Sequence, residues 1–163
     1  MERMRSMAKR LYVAYGSNLN VEQMRWRCPG ARIIGTGELR DWRLLYKGSR
    51  TGSYLTLEPC PGRMVPVAVW EVTEEDERSL DRYEGFPHFY GKTELELPIR
   101  GIRSGRVKNR RCFVYLMQDG RRCGIPSKAY IQTCREGYES FGFDPSILSA
   151  ALKDTLEEMG CVP

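Results

Sequence analysis

The sequence has little histidine and no closely spaced cysteines. Its 163 residues include one histidine, and no C-x-x-C pair occurs among the six cysteines, Cys28, Cys60, Cys112, Cys123, Cys134 and Cys161. Because zinc ligands usually come in such tight pairs, this pattern argues against a zinc site. We expect no metal ligands, and we expect reduced thiols that mostly pack as small apolar groups.

Long apolar runs are also missing. None approaches the roughly 18 to 20 residues that cross a bilayer, and the basic stretch over 1–10 leads into only about five apolar residues, too few for a signal-peptide core. A composition of 41% hydrophobic and 29% charged residues is typical of a globular protein. We predict a cytoplasmic protein with no membrane association, one domain over 1–163 and a flexible extension over 1–10. The oligomeric state stays open, with a homodimer among the options.

The net charge of +5 is mild, and the densest basic cluster lies at 100–111, where six of twelve residues are Arg or Lys. Nucleic-acid interfaces combine such charges with aromatic side chains that stack on bases. This stretch has no aromatic residue and instead contains turn-forming residues, Gly101, Ser104, Gly105 and Asn109. We therefore predict a solvated hairpin loop and no nucleic-acid partner.

Several runs have the alternation or the β-branched and aromatic content of strands. Pro66 lacks an N–H group and therefore needs a sheet edge or a bulge. The strand-like runs are Trp42–Tyr46, Met64–Val72, Thr93–Leu97 and Arg111–Met117. Gly, Pro and Ser clusters separate them, as in an antiparallel sheet or barrel.

Four helices are predicted from their capping residues. They begin at Asn20, at Thr73, at Pro126-Ser127 and at Asp144-Pro145, and the second ends at Gly85. Together with the strands they predict an α+β fold, a small, mostly antiparallel β-barrel with peripheral helices.

The stretch LYVAYGSNL, residues 11–19, leaves a strand through small and polar residues just before a helix start. Gly16 would let a ligand approach the backbone, and Ser17 and Asn18 add side-chain donors and acceptors. Free N–H groups and the positive end of the helix dipole favour an anion there. A well-made strand-to-helix turn has the same local pattern, so the residues alone leave both interpretations open.

Glu84 is predicted in the last turn of its helix, directly before Gly85 as a left-handed cap. The negative end of the helix dipole would raise its pKa, as would apolar cover from the residues that follow, Phe86, Pro87, Phe89 and Tyr90. A carboxylate titrating nearer neutral pH suits general acid–base catalysis. The competing interpretation is a solvated glutamate at a helix end. Two tyrosines, Tyr115 in FVYLM and Tyr130 in its helix, are either core residues or site residues.

The ordered motifs Y-G-S-N-L, L-D-x-x-E-G, Y-L-M and P-S-x-x-Y, over roughly Leu11 to Gly142, resemble the γ-glutamylcyclotransferase-like family, which includes the AIG2-like and γ-glutamylamine cyclotransferase proteins. The resemblance implies a small barrel with a cavity at one end and Glu84 as the catalytic residue. It also implies binding of the substrate's glutamyl part by the loop of Tyr15, Gly16, Ser17, Asn18 and Leu19. We expect Tyr12, Tyr115 and Tyr130 to line the same cavity.

The implied reaction closes 5-oxoproline from a γ-glutamyl amide, with Glu84 moving the protons. Since the nucleophile is the substrate's own amine, neither a protein nucleophile nor a cofactor is required, and the partner is a small γ-glutamyl molecule. A non-catalytic binding module for such a metabolite, or for another acidic one, is the alternative. The leaving amine is not identified.

Overall fold

The structure, a computed structural model, describes residues 9–160. Within this range the strands are β1 (Arg10–Ala14), β2 (Arg32–Ser49), β3 (Gly52–Val72), β4 (Tyr90–Gly101), β5 (Val107–Met117) and β6 (Arg122–Cys123). The helices are α1 (Val21–Arg27), α2 (Glu74–Glu84), α3 (Lys128–Phe141) and α4 (Ser146–Glu158), and a 3-10 turn spans Ser17–Leu19. The part of the predicted extension over 1–8 lies outside the described residues, and Arg10 opens the first strand.

The strands form a sheet in the order β3-β1-β5-β4-β2-β6, and an additional β2–β3 pairing closes five of them into a barrel. The pairings are antiparallel except β1–β5, which is parallel. Apolar side chains of these strands fill the interior, with Val13, Val67 and Phe113 almost fully buried. The predicted α+β barrel with peripheral helices is confirmed.

The long β2–β3 hairpin bends where its register shifts, between Arg40 and Trp42. Asp41 adopts a left-handed conformation there, with φ 66°, and its carboxylate accepts a hydrogen bond from the Gly62 N–H group at 2.9 Å. The predicted edge position for Pro66 has a simple cause. The neighbouring strand β1 ends opposite Ala68, so Pro66 lies beyond it and is paired with β2 alone.

The predicted caps set the helix ends. Thr73 and Asp76 form a reciprocal capping box, and Gly85 ends α2 with φ 64°. Asn20 and Ser127 accept hydrogen bonds from the third residue of their helices. The last helix begins at Ser146, slightly later than predicted, and its first N–H group is bonded to the Asp144 carboxylate.

The predicted hairpin at 100–111 is confirmed, since β4 ends at Gly101, β5 begins at Val107, and their residues pair. Five cysteines within residues 9–160 are free thiols, and Cys161 lies outside the described range. No helix among the described residues is long and apolar enough to cross a membrane.

Candidate functional site

One end of the barrel contains a cavity of about 520 Å³. It is bordered by the end of β1 and the turn after it, the β2–β3 hairpin, the end of α2, the start of β4, β5 and the start of α3. Aromatic and small polar side chains dominate its lining, which comprises Tyr12, Tyr15, Gly16, Ser17, Asn18, Ser49, Thr51, Tyr54, Leu55, Arg82, Tyr83, Glu84, Gly85, Phe89, Tyr90, Tyr115 and Tyr130.

The turn after β1 presents unpaired backbone donors to this cavity. The 3-10 turn bonds the Leu19 N–H to the Gly16 carbonyl and the Asn20 N–H to the Ser17 carbonyl, each at 3.0 Å. The N–H groups of Gly16, Ser17 and Asn18 have no hydrogen-bond acceptor among residues 9–160. Because buried N–H groups are rarely left unpaired, these three are candidate ligand donors.

Leu19 has a different place from the rest of its predicted loop. Its side chain is fully buried and does not line the cavity. It packs on Gly137 of α3, where an added Cβ would lie 2.6 Å from the Leu19 Cβ. The tight 3-10 turn rotates this residue into the core. Leu19 therefore anchors the loop, and its predicted contact with a ligand is not supported by this geometry.

Glu84 projects from the last residue of α2 and lines the same cavity. Its carboxylate has no hydrogen-bond donor and no ion-pair partner among the described residues 9–160. Burial raises the pKa of this carboxyl from 4.5 to about 8, and the Arg27 guanidinium opposes part of the shift. A group with this pKa exchanges protons near neutral pH, which suits an acid–base catalyst.

The tyrosines around the cavity are held by hydrogen bonds. Tyr15 donates to the Tyr115 carbonyl at 2.7 Å, and Tyr12 accepts from the Asn18 side chain at 2.9 Å. Tyr130 accepts from the Leu55 N–H at 3.0 Å, and Tyr115 donates to Asp81 at 2.6 Å. Burial raises the pKa of all four phenols well above the usual tyrosine range, so they stay neutral.

Eight of the nine predicted site residues therefore share one cavity, which the sequence alone could not establish. The structure adds residues that were not predicted, among them Tyr54, Tyr83, Phe89 and Tyr90. Tyr83 is directly beside Glu84, so its position in L-D-x-x-E-G was the available signal. Phe89 and Tyr90 were expected only as apolar cover for Glu84, and Tyr54 lies on a strand with no local motif. No cluster of three or more potential metal ligands occurs within residues 9–160.

The fold and the cavity define a small barrel protein with an unpaired acid and free backbone donors in one ligand-sized space. The family model described as "Gamma-glutamyl cyclotransferase, AIG2-like" matches residues 12–132. This chain belongs to that family. The matched range includes every residue of the predicted site.

The sequence identity to individual relatives is low to moderate. Human gamma-glutamylcyclotransferase is 37% identical over 82 residues, which cover 46% of this chain and only 44% of the human protein. A solved structure named gamma-glutamyl cyclotransferase superposes with a TM-score of 0.73 at 26% identity, covering 88% of this chain and 86% of the other. A crystal structure of an uncharacterized human protein gives a TM-score of 0.69 at 26% identity, covering 95% and 89%.

Proposed function

We propose that this protein is a γ-glutamylcyclotransferase-type enzyme that converts a γ-glutamyl amide or γ-glutamyl-amino acid to 5-oxoproline and a free amine, with Glu84 as the general acid/base. One observation carries the proposal: an unpaired carboxyl with a pKa of about 8 lies in the same cavity as the free N–H groups of Gly16, Ser17 and Asn18. The names of the relatives support the same chemistry. The free thiols favour a cytoplasmic location.

The proposed reaction is an intramolecular aminolysis. The α-amino nitrogen of the glutamyl group attacks its own γ-carbonyl carbon, a C–N bond forms, and the amide C–N bond breaks. The α-ammonium loses two protons as it becomes the lactam N–H, and the departing nitrogen gains two and leaves as an ammonium. A single carboxylate can carry each proton in turn from the first nitrogen to the second. Positioned acid–base catalysis of this kind contributes about 10² to 10⁴-fold in rate.

The turn after β1 would bind the substrate, whereas the Glu84 carboxylate would move the protons. Backbone N–H groups at Gly16, Ser17 and Asn18 would bind either the substrate α-carboxylate or the oxyanion that develops on the γ-carbonyl. The neutral phenols of Tyr12 and Tyr15 line the same space. A folded substrate held in this way has its amine close to the carbonyl it attacks, which lowers the entropic part of the barrier.

The remaining lining residues form the region where the amine would leave. They include hydroxyls at Ser49 and Thr51, aromatic rings at Tyr54 and Phe89, and Arg82 as the one cation of the lining. Arg82 has no ion-pair partner within the described residues 9–160, whereas Glu84 is the lining's one acid. An anionic or neutral amine component fits these charges better than a cationic one.

The test is incubation of the purified full chain with matched γ-glutamyl amides whose amine components are anionic, neutral or cationic, with 5-oxoproline as the readout. We expect release of 5-oxoproline together with an equal amount of amine from at least one of them. No 5-oxoproline from any amide, despite an intact fold, would overturn the enzymatic proposal.

The alternative is a non-catalytic binding module for a γ-glutamyl or other acidic metabolite. The free N–H groups of the turn would serve such a module as well as an enzyme. Glu84 argues against it, because a pure anion binder gains nothing from a carboxyl group in its pocket. Saturable binding of a γ-glutamyl amide without turnover, measured by calorimetry, would favour the module.

A further inference from the structure

The two halves of the proposed site are joined by a residue outside the cavity lining. Arg27, the last residue of α1, places its guanidinium carbon 3.4 Å from the centre of the Tyr83 ring. The same guanidinium donates a short hydrogen bond to the Asn18 side-chain oxygen and a second bond to Gln23 at 3.3 Å. Arg27 therefore contacts the ligand turn on one side and α2 on the other.

The contacts continue from these neighbours into the cavity. The Tyr83 hydroxyl lies 3.0 Å from the Ser17 hydroxyl, and Asn18 donates to Tyr12 at 2.9 Å. Tyr83 is 44% exposed, so its ring is not fixed by burial and depends on the stacked guanidinium for its position. Arginine suits this task because its planar group stacks and donates in a fixed fork at the same time.

Arg27 is also the charged group that opposes the burial of Glu84. The other titratable groups that line the cavity with this carboxyl are Arg82 of α2, which does not contribute to the shift of its pKa, and phenols, among them Tyr12, Tyr15, Tyr83 and Tyr90. Neutral phenols do not offset the charge of a carboxylate. The structure describes both side chains, and Arg27 lowers the pKa of Glu84 without forming an ion pair with it.

We propose that Arg27 is a positioning residue, which fixes the Gly16–Asn18 turn against Tyr83, the neighbour of Glu84, and brings a positive charge to that end of the cavity. This inference rests on the proposed function for its kinetic consequences. Its electrostatic part concerns the free protein and does not depend on turnover. Arg27 touches neither the proposed substrate space nor the reacting atoms, so it acts through Asn18, Tyr83 and Glu84.

Two substitutions of Arg27 separate its positioning role from the effect of its charge. Arg27→Lys keeps the charge but loses the stacked fork, whereas Arg27→Gln loses both. For Arg27→Lys we expect kcat/KM to fall about tenfold, mainly through KM, with an unchanged Glu84 pKa. For Arg27→Gln we expect a larger fall in kcat/KM and a Glu84 pKa that is raised further. Arg25→Gln, an exposed change on the same helix, is the matched control.

The Glu84 pKa is measured by carbon-detected NMR titration of the carboxyl groups, with the Glu84→Gln spectrum giving the assignment. Thermal unfolding of each variant reports whether a loss of activity is merely a loss of fold. An unchanged Glu84 pKa in folded Arg27→Gln, or kcat/KM within twofold of wild type, would overturn the inference. If the wild type cyclises no amide, the proposed function fails, and the NMR titration still tests the charge of Arg27 on Glu84.

Discussion

Three acids lie on one face of α2 and have opposite surroundings. Glu77, Asp81 and Glu84 are spaced at i, i+4 and i+7, so all three point toward the barrel. Lys92 of β4 pairs with Glu77 at 2.6 Å and with Asp81 at 2.8 Å, and Asp81 also accepts from Tyr115. Glu84, one turn further, has no such partner within residues 9–160.

This difference separates the two acids that stabilise the fold from the one acid that can take part in catalysis. Two paired carboxylates hold α2 on the barrel because each finds a cation when water is removed. The unpaired third acid has only burial and the more distant Arg27, so its pKa rises to about 8. One helix therefore carries both the two paired acids that support the site and the unpaired acid that titrates in it.

The largest effect is expected for Glu84→Gln, which removes the titrating group and keeps the shape. Cyclisation should fall about 10² to 10⁴-fold while binding of a γ-glutamyl amide stays within a few-fold of wild type. The measurements are 5-oxoproline formation and calorimetric titration. Glu75→Gln, an exposed change in the first turn of α2, is the control and should leave both unchanged. Near wild-type turnover of Glu84→Gln would remove Glu84 from the mechanism.

Lys92→Met tests the two paired acids, Glu77 and Asp81. It leaves Glu77 and Asp81 without the cation they share, and both Lys92 and Glu77 have side chains no more than 14% exposed. Breaking a buried pair in this way costs about 3 kcal/mol in the free energy of unfolding. Urea unfolding measures it, and Lys153→Met on the exposed surface of α4 is the control. A change below about 0.5 kcal/mol would mean that the paired acids do not support the helix.

The pH dependence of activity tests the unpaired acid directly. A general base must be deprotonated, and the raised pKa of about 8 means that Glu84 is mostly protonated at pH 6. We expect kcat/KM to fall about tenfold for each pH unit below about 8. A plateau extending down to pH 6 would contradict the assignment, because it would require an acid that ionises at its ordinary pKa.

Much of this arrangement followed from local sequence. Thr73 and Gly85 defined α2 through a capping box and a left-handed cap, and Glu84 was placed at its last turn by the same pattern. The turn of Gly16, Ser17 and Asn18 was visible as a strand exit before a helix cap. These features depend on residues within a few positions of one another, which is the range that propensity and spacing describe.

The other features of the site depended on packing between segments that are distant in the sequence. Ser17 and Tyr83 are 66 positions apart, and their contact exists only because the fold brings the last turn of α2 against the turn after β1. Arg27 gave no signal, since a basic residue in the last turn of a helix is ordinary. Leu19 belonged to a motif, but the 3-10 turn directed its side chain to α3. Tertiary geometry decided these three cases.

A further effect is expected on stability, and its sign follows from the pKa of Glu84. The folded value of about 8 lies above the ordinary value of 4.5, so between these pH values the folded state holds a proton that the unfolded state has released. Wild type should therefore lose stability as pH rises from 5 to 8. The expected loss is on the order of 1.4 kcal/mol for each pH unit over which only the folded state holds the proton.

Glu84→Gln isolates this loss, since glutamine does not titrate. The difference in unfolding free energy between the variant and the wild type should move in favour of the variant as pH rises from 5 to 8. Urea unfolding at both pH values measures it. Parallel curves for wild type and Glu84→Gln would mean that water reaches the carboxyl, and the contrast between paired and unpaired acids on α2 would then be one of geometry alone.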